Sequence, residues 1–347
     1  MTKSKYFLLL IFPIFWGCKE IYEPEINNTN TAIVIQGIMT NNPGQVSVRV
    51  SRAVSFDSTD NRQPIEKAIV KIHDDRGAEF ELFHTSSGVF KNDNLYAQPE
   101  RTYTLTVTTA DGLKYESTPQ QLSKSFKQDS IYGNYLTKEI MSQNDYGDYF
   151  YVSQDGIETF VDLSSGTSEV PKCRYELTVT VLYYYTLPGL PPPIVYCWKT
   201  FNPNTNLNVT KTKFDKSIGV VKKHNINFFS TNIFTYDERP NLNIAAFLLI
   251  INKYNLSAEA HKFYEDLNNQ LTASGKIFDP SPSQLIGNIK CTTNSDKMVL
   301  GLFEVSSSEK YYYRYEMKRK VSLIQRDDFP GFTEVGEVIN NPPAFWY

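Results

Sequence analysis

Apolar and polar residues alternate with a period of two along much of this chain. Val46, Val48 and Val50 are separated by Ser47, Arg49 and Ser51, and Ala68, Val70 and Ile72 repeat the pattern. Tyr103, Leu105 and Val107 sit between Thr102, Thr104, Thr106 and Thr108. Successive side chains of a strand point to opposite faces, so the alternation predicts strands with one face in a core and one in water. Residues 32–39 form a mostly apolar strand, and the Asp74-Asp75-Arg76-Gly77 turn leads into a returning strand at 79–83. Asp111-Gly112 turns the chain into a strand at 113–117. Short strands with regular turns and no helical period predict an immunoglobulin-like β-sandwich over residues 32–118. It lacks the Cys-Trp-Cys framework of an antibody domain, and Thr118-Pro119 marks its expected end.

The rest, residues 119–347, reads as a larger β-rich domain. Segments 149–153 and 157–162 flank Asp155-Gly156, which predicts a hairpin turn there. Leu177, Val179 and Val181 alternate with Thr178 and Thr180. Residues 244–251 are apolar throughout, as in a strand buried on both faces. Tyr311, Tyr313, Tyr315 and Met317 alternate with Tyr312, Arg314 and Glu316 in another strand, after one at 299–305. One amphipathic helix is expected near 257–274. Ser257 is its N-cap, Glu259 suits its first turn, and Gly275 closes it. Ala260, Phe263, Tyr264, Leu267 and Leu271 form its apolar stripe, a packing surface rather than a ligand box.

The N-terminus follows a different rule. Lys3 and Lys5 precede an unbroken apolar run over residues 6–16, which ends at Gly17-Cys18. A membrane-spanning helix needs about twenty apolar residues, so this run is the core of an export signal. Phe15 and Trp16 depart from the strict bacterial lipobox, and the stretch resembles the looser lipoboxes of the Bacteroidota. Residues 1–17 are therefore expected to be a lipoprotein signal peptide. Cys18 is expected to carry lipid, and multiple acyl chains make such an anchor stable. Residues 18–31, with Glu20, Glu23 and Glu25 around Pro24, read as an acidic tether. Acidic residues after the lipidated Cys resemble signals that send such lipoproteins to the cell surface, and a merely solvated linker is an equal reading of them.

Composition narrows the function classes. The precursor carries a formal charge of −3, and losing Lys3 and Lys5 makes it more negative; no basic patch points to nucleic acid. The histidines, His73, His84, His224 and His261, show no metal-binding spacing. His73 is expected to be solvated and His261 to lie on the helix surface. There is no Gly-x-Ser-x-Gly elbow and no phosphate loop. Ser307-Ser308-Glu309-Lys310 matches Ser-x-x-Lys but reads as a turn between strands. No catalytic residue, metal or cofactor is expected. Asp57-Ser58-Thr59 and Asp129-Ser130-Ile131 resemble O-glycosylation tripeptides, though an ordinary loop serine is the stronger reading of each.

Beyond Cys18 the cysteines are Cys173, Cys197 and Cys291, an odd number for an exported chain. Cys197 ends an irregular loop before Trp198, Cys291 follows a Gly-Asn turn, and Cys173 opens a regular strand. A Cys197–Cys291 disulfide with Cys173 buried and reduced is the expected arrangement. The chain is rich in aromatics, with Tyr 23 and Phe 22; an all-β body accounts for most of them and leaves some for a binding surface. Tyr183, Tyr184, Tyr185, Tyr196 and Trp198 gather around a Pro-rich loop and form the leading candidate for a binding loop.

Three stretches resemble the Bacteroidota lipoproteins of domain of unknown function family 4249. One is the lipid Cys, tether and Val34-Ile35-Gln36-Gly37-Ile38-Met39-Thr40 strand. Another is Cys197-Trp198 after the Pro-rich loop. The third is the Pro282-to-Ile289 stretch with Cys291 and the Gly301-to-Ser307 strand. The resemblance implies a palmitate-bearing outer-membrane lipoprotein, exposed at the cell surface, that works beside a TonB-dependent β-barrel receptor; it implies no enzymatic activity. The leading expectation is a non-enzymatic accessory protein in ligand capture or uptake. A structural or adhesive envelope module would instead show aromatic patches without a cleft, and a surface hydrolase would show paired carboxylates in a deep one.

Overall fold

A computed structural model describes residues 32–53, 63–144, 146–186, 194–203, 207–211, 219–230, 243–272, 285–322 and 342–346. Cys18, the signal and the tether, Asp57-Ser58-Thr59, the Pro-rich loop at 187–193 and Gly275 lie outside these residues. The protein is mainly β, and the described residues form one large sheet, a second small sheet and a single helix.

The first part of the chain contributes nine strands. They are β1 (Ile33–Thr40), β2 (Ser47–Arg52), β3 (Gln63–Pro64), β4 (Ala68–Asp74), β5 (Glu79–Ser86), β6 (Val89–Lys91), β7 (Thr102–Thr109), β8 (Lys114–Ser117) and β9 (Gln120–Gln121). Burial alternates along β7 as the Thr/apolar pattern predicts, with Tyr103, Leu105 and Val107 inside. The Asp74 turn closes through Asp74 Oδ1, which accepts from the Arg76 and Ala78 amides. Gly77 takes φ +83° there, a conformation open to glycine.

The second part adds β10 (Lys127–Gln143), β11 (Tyr149–Ser164), β12 (Cys173–Thr186), β13 (Ile194–Phe201), β14 (Asn208–Val209), β15 (Val220–Ser230), β16 (Asn243–Asn255), α1 (Ala258–Thr272), β17 (Ile289–Cys291) and β18 (Val299–Ser322). The large sheet runs β13-β12-β16-β18-β1-β2-β6-β5-β4-β7-β8-β17, and β10-β11-β15 form the small one. Two cores result. In the first, inward residues of β1, β2, β4, β5, β7 and β8 pack against Phe303 and Val305 of β18 and Cys291 of β17. In the second, β10, β11 and β15 pack on β12, β16 and the far half of β18.

The boundary expected at Thr118 is therefore incomplete. The chain does leave the first core there, but β17 returns to pair with β8, and Val299–Ser306 of β18 pair in parallel with β1. Without those strands β1 would expose an apolar edge. Three glycines of the family-like stretches meet at this crossing. A Cβ on Gly37 would lie 2.8 Å from the Phe303 ring, one on Gly301 1.9 Å from the Ile35 carbonyl, and one on Gly287 1.6 Å from the Gly301 carbonyl. Asn288 finishes the joint: its Nδ2 donates to the Phe303 carbonyl (2.9 Å) and its Oδ1 accepts from the Phe303 amide (2.8 Å), as a neighbouring strand would. These motif residues are sheet-building parts.

Four further expectations change. Asp155-Gly156 is no turn; both residues lie inside β11, and the hairpin turns instead at 144–148. Gly156 is there because a Cβ would strike Phe228 and the Phe229 carbonyl of β15, a close-approach role for a strand glycine. Ser307-Ser308-Glu309-Lys310 lies within continuous β18, and Asp129-Ser130-Ile131 within β10 rather than a loop. His261 is buried, not exposed, with Nε2 2.6 Å from the Thr210 carbonyl, and burial holds its pKa below the ordinary value. His73 is only half-buried and sits beside Thr106 and Glu79.

The helix forms where expected. The Ala260 amide donates to Ser257 Oγ (3.1 Å), and Ala260, Phe263, Tyr264 and Leu267 pack on Tyr254, Leu256 and Leu302; Leu271 is exposed. β16 is buried on both faces from Ala246 to Ile251, as its unbroken apolar run predicts.

Candidate interaction surface

The predicted binding loop divides between interior and surface. β12 and β13 form a hairpin that pairs Leu182 with Trp198, Tyr183 with Cys197 and Tyr184 with Tyr196. Tyr183 faces the second core and is buried. Trp198 faces the other side, where it packs on Leu182, Ala246 and Trp346. Its ring meets Trp346 edge-on at 6.2 Å, and the Arg314 guanidinium caps Trp346 at 4.9 Å. Tyr196 keeps 47% of its surface and Ile194 is also exposed, while Tyr184 is half-buried beside Tyr196 (6.3 Å between rings). The Tyr185 side chain lies outside the described residues. The hairpin's base is thus packing, and its outer end is what it shows to solvent.

The expected disulfide is not formed. Cys291 belongs to the first core and Cys197 to the second, so the two sulfurs sit in different interiors. Both lie on regular strands, not in the irregular segments that suggested pairing. Cys173 is a buried thiol whose pKa burial pushes up to about 12, which keeps it protonated and inert.

A larger aromatic surface lies on the β10–β11 hairpin. Among the described residues β11 pairs with β15 as far as Gly156–Ser230 and with β10 as far as Tyr149–Gln143. Among the described residues, 149–155 and their partners on β10 therefore run on as a two-stranded ribbon, about 23 Å at ~3.3 Å per residue. Its turn is well fixed: Asn144 Oδ1 accepts from the Tyr146 (3.0 Å) and Asp148 (2.8 Å) amides, and Gly147 takes φ +89°. Tyr146 at the tip is 91% exposed, Tyr151 70% and Tyr149 68%; Met141 and Phe150 are exposed too.

Strand register places these aromatics at one pole. Phe126, just before β10, donates its amide to Asn255 Oδ1 (3.0 Å), and Cys173 lies opposite Asn255, which lies opposite Ser307. From that level β10, β12 and β18 all run away from the first core. Ile33, where the chain enters the fold, lies opposite Val299 at the start of β18. The strand then continues for 24 residues. Ile33 and the aromatic ribbon are at opposite ends of the described residues.

Two buried charged clusters are committed to packing. Arg174 of β12 is buried between the rings of Tyr254 (4.1 Å) and Tyr264 (5.1 Å). It reaches both oxygens of Glu304 at 3.4 Å and also Glu176. Burial opposes its charge, but those carboxylates and phenols more than offset this and raise its pKa. Glu304, 1% exposed, also accepts from Tyr264 (2.6 Å) and Ser306 (2.5 Å). This cluster pins α1 to the sheet. On the opposite face Lys253, fully buried, pairs with Glu309 at 3.0 Å.

Two open depressions are small. One, of about 200 Å³, lies between Asp74, Tyr96, Arg101 and Tyr103. Arg101 is already held there by Asp74 and Asp75, so it is poorly placed to hold an anion. The other, of about 410 Å³, is lined by Arg49, Ser51, Pro64 and Ser86 to Val89. Among the described residues no cluster of His, Cys, Asp or Glu is placed to hold a metal, and no helix is long and apolar enough to cross a membrane.

The fold and surface define a two-core β protein with an aromatic ribbon at one pole. The chain belongs to the family described as Domain of unknown function (DUF4249), whose sequence profile matches residues 19–312. No curated protein and no solved structure matches it.

Sequence reasoning missed Met141, Tyr146, Tyr149, Phe150 and Tyr151. A signal existed: Tyr149-Phe150-Tyr151 puts bulky side chains on both faces of one strand, and Asn144-Asp145-Tyr146-Gly147-Asp148 beside it is turn-like. Placing the turn at Asp155-Gly156 hid both.

Proposed function

We propose that the mature protein is a non-enzymatic, lipid-anchored accessory protein of the outer membrane, exposed at the cell surface, that works with a TonB-dependent β-barrel receptor in ligand capture or uptake. The observation that carries this reading is the polarity of the fold. An acylated Cys18 and its acidic tether would hold the molecule by the end where Ile33 enters. The exposed aromatics of the β10–β11 ribbon and the outer end of the β12–β13 hairpin then point away from the anchor, toward a partner. Aromatic side chains dominate protein-binding hot spots. Two pairs of neighbouring carboxylates, Glu304 with Glu176 and Asp74 with Asp75, are each tied to an arginine, Arg174 and Arg101, and this supports a non-enzymatic role.

The experiment is labelling of cells with a fatty-acid analogue, followed by purification from detergent-solubilised outer membranes. Cys18 should take the label, Cys18→Ala should leave the protein soluble or uncleaved, and a β-barrel receptor should co-purify. A mature protein that starts elsewhere and carries no label ends the lipoprotein reading. The second reading, an adhesive envelope module, is favoured by one feature: the exposed aromatics stand on a ribbon rather than around a cleft. In that case the labelled protein would be retained in the membrane and no receptor would come with it.

A further inference from the structure

We infer that one face of the β10–β11 ribbon is a docking surface for a protein that presents an apolar patch flanked by Lys or Arg. The inference deepens the accessory-protein reading and rests on it for the partner being a protein. Register defines the face. Tyr135 and Ile157 are paired and turn into the second core. Every second pair beyond them shares that side: Thr137 with Asp155, Glu139 with Ser153, Met141 with Tyr151, and Gln143 with Tyr149. The core-facing side of the small sheet thus continues past its covered part, and Met141, Tyr149 and Tyr151 on it remain exposed. Contiguous exposed apolar surface on a folded chain marks an interaction site.

Charge selects the occupant. The described residues of 137–155 carry Lys138 and three carboxylates, Glu139, Asp148 and Asp155. Glu139 and Asp155 share the face with the aromatics, whereas Lys138 is on the opposite side, paired with Glu158. An acidic rim repels anionic lipid headgroups and attracts Lys and Arg, and rim charges of this kind set the on-rate and the choice of partner. The fixed Asn144 turn holds the ribbon in shape before binding, which lowers the entropy lost on docking.

The test uses the full chain in its own cells, with a benzophenone amino acid replacing Tyr149 or Tyr151, and Phe83 of β5 as an exposed control. After irradiation the adducts are mapped by mass spectrometry. The inference expects one protein, different from the chain itself, cross-linked at an apolar position beside Lys or Arg. Glu139→Lys with Asp155→Lys should lower the yield about tenfold, and Tyr151→Ala should lower co-purification about thirtyfold, as for a hot-spot aromatic. These positions are outside the cores, so thermal melting should not change. Adducts no stronger than at Phe83 would overturn the inference. So would adducts to a second copy, a lipid or a polysaccharide, or a yield indifferent to charge reversal. If the receptor co-purifies while Tyr149 and Tyr151 stay unlinked, the docking face is wrong and the proposed function stands. If the linked protein has the expected chemistry but is no β-barrel receptor, the reverse holds.

Discussion

Replacing Arg174 by Met should destabilise the protein by about 3–5 kcal/mol, the range for removing one partner of a buried ion pair. The structure places the effect in the upper part of that range. Glu304 is almost wholly buried, and Arg174 is the cation in contact with it. Tyr264 and Ser306 would still donate to the stranded carboxylate, but neither brings charge. Glu304→Gln should be milder, about 1–3 kcal/mol. Arg174 would retain Glu176 and the faces of Tyr254 and Tyr264, and buried cation–π contacts contribute about 2 kcal/mol or more. The double variant Arg174→Met/Glu304→Leu should recover most of the loss, because well-packed apolar substitutes for a buried pair are often neutral or better.

Urea unfolding of the mature chain measures all three. Trp198 and Trp346 pack together against the same sheet and report its loss by fluorescence. With a urea slope near 3 kcal/mol/M, a 4 kcal/mol loss moves the midpoint down by more than about 1 M. With Glu304→Leu added as the matching single variant, the interaction energy from the double-mutant cycle should be of the same order as the Arg174→Met effect and opposite in sign. A single variant that loses less than about 1 kcal/mol, or a double variant whose loss equals the sum of the singles, would refute the account of this cluster as a mutually dependent pair.

Gly301→Ala should leave the chain insoluble, because the new Cβ would strike the Ile35 carbonyl at a residue with φ +113°; Gly112→Ala, at an open turn, should be far milder and remain soluble. Unfolding without reductant should expose three reactive thiols, from Cys173, Cys197 and Cys291, and reductant should leave Tm unchanged; a count of one would restore a bridge. Burial, with Lys211 nearby, pushes His224 down from 6.5 to about 4. The unfolded chain then gains a proton as pH falls through about 6.5 while the fold stays neutral until about 4, so stability declines across that window by up to about 3 kcal/mol. Stability curves from pH 7 to 4 should be flatter for His224→Gln, and equal slopes would clear the ring.

Local pattern was a good guide wherever one strand needed one face buried. β7, β16 and α1 lie where alternation, an unbroken apolar run and an N-cap place them. What stayed hidden depends on contacts between distant segments. Nothing in the composition of β17 tells that it pairs with β8, or that Val299–Ser306 complete a core begun at Ile33. Gly156 illustrates the trap. An Asp-Gly pair reads as a turn from local chemistry, but the glycine is required by the Phe228 ring of another strand. The cysteines failed in the same way, since pairing depends on separation in space and the two cores hold them apart. Of the binding-loop residues, exposure kept Tyr196 and burial removed Tyr183 and Trp198, a division that residue type alone cannot make.

The junction of the two cores gives the polarity of the fold its mechanical meaning. β18 crosses that junction as one strand, paired with β1 on one side of it and β16 on the other. The residues at the crossing are tied from both directions. Asn41 accepts from the Ser308 amide (2.6 Å) and Asn42 donates to the Ser308 carbonyl (3.2 Å), while Asn255 donates to the Ser307 carbonyl (3.0 Å). Asn255 also receives the Phe126 amide, so the start of the small sheet is secured at the same point. Bending the molecule here would break buried hydrogen bonds to strand backbone, each expensive to leave unmade. If Cys18 is the anchor proposed above, it and the ribbon would be held apart by a stiff body, and freedom of reach would come from residues 19–31. Shortening the tether, without touching a single contact of the fold, should therefore change which partners the ribbon can meet.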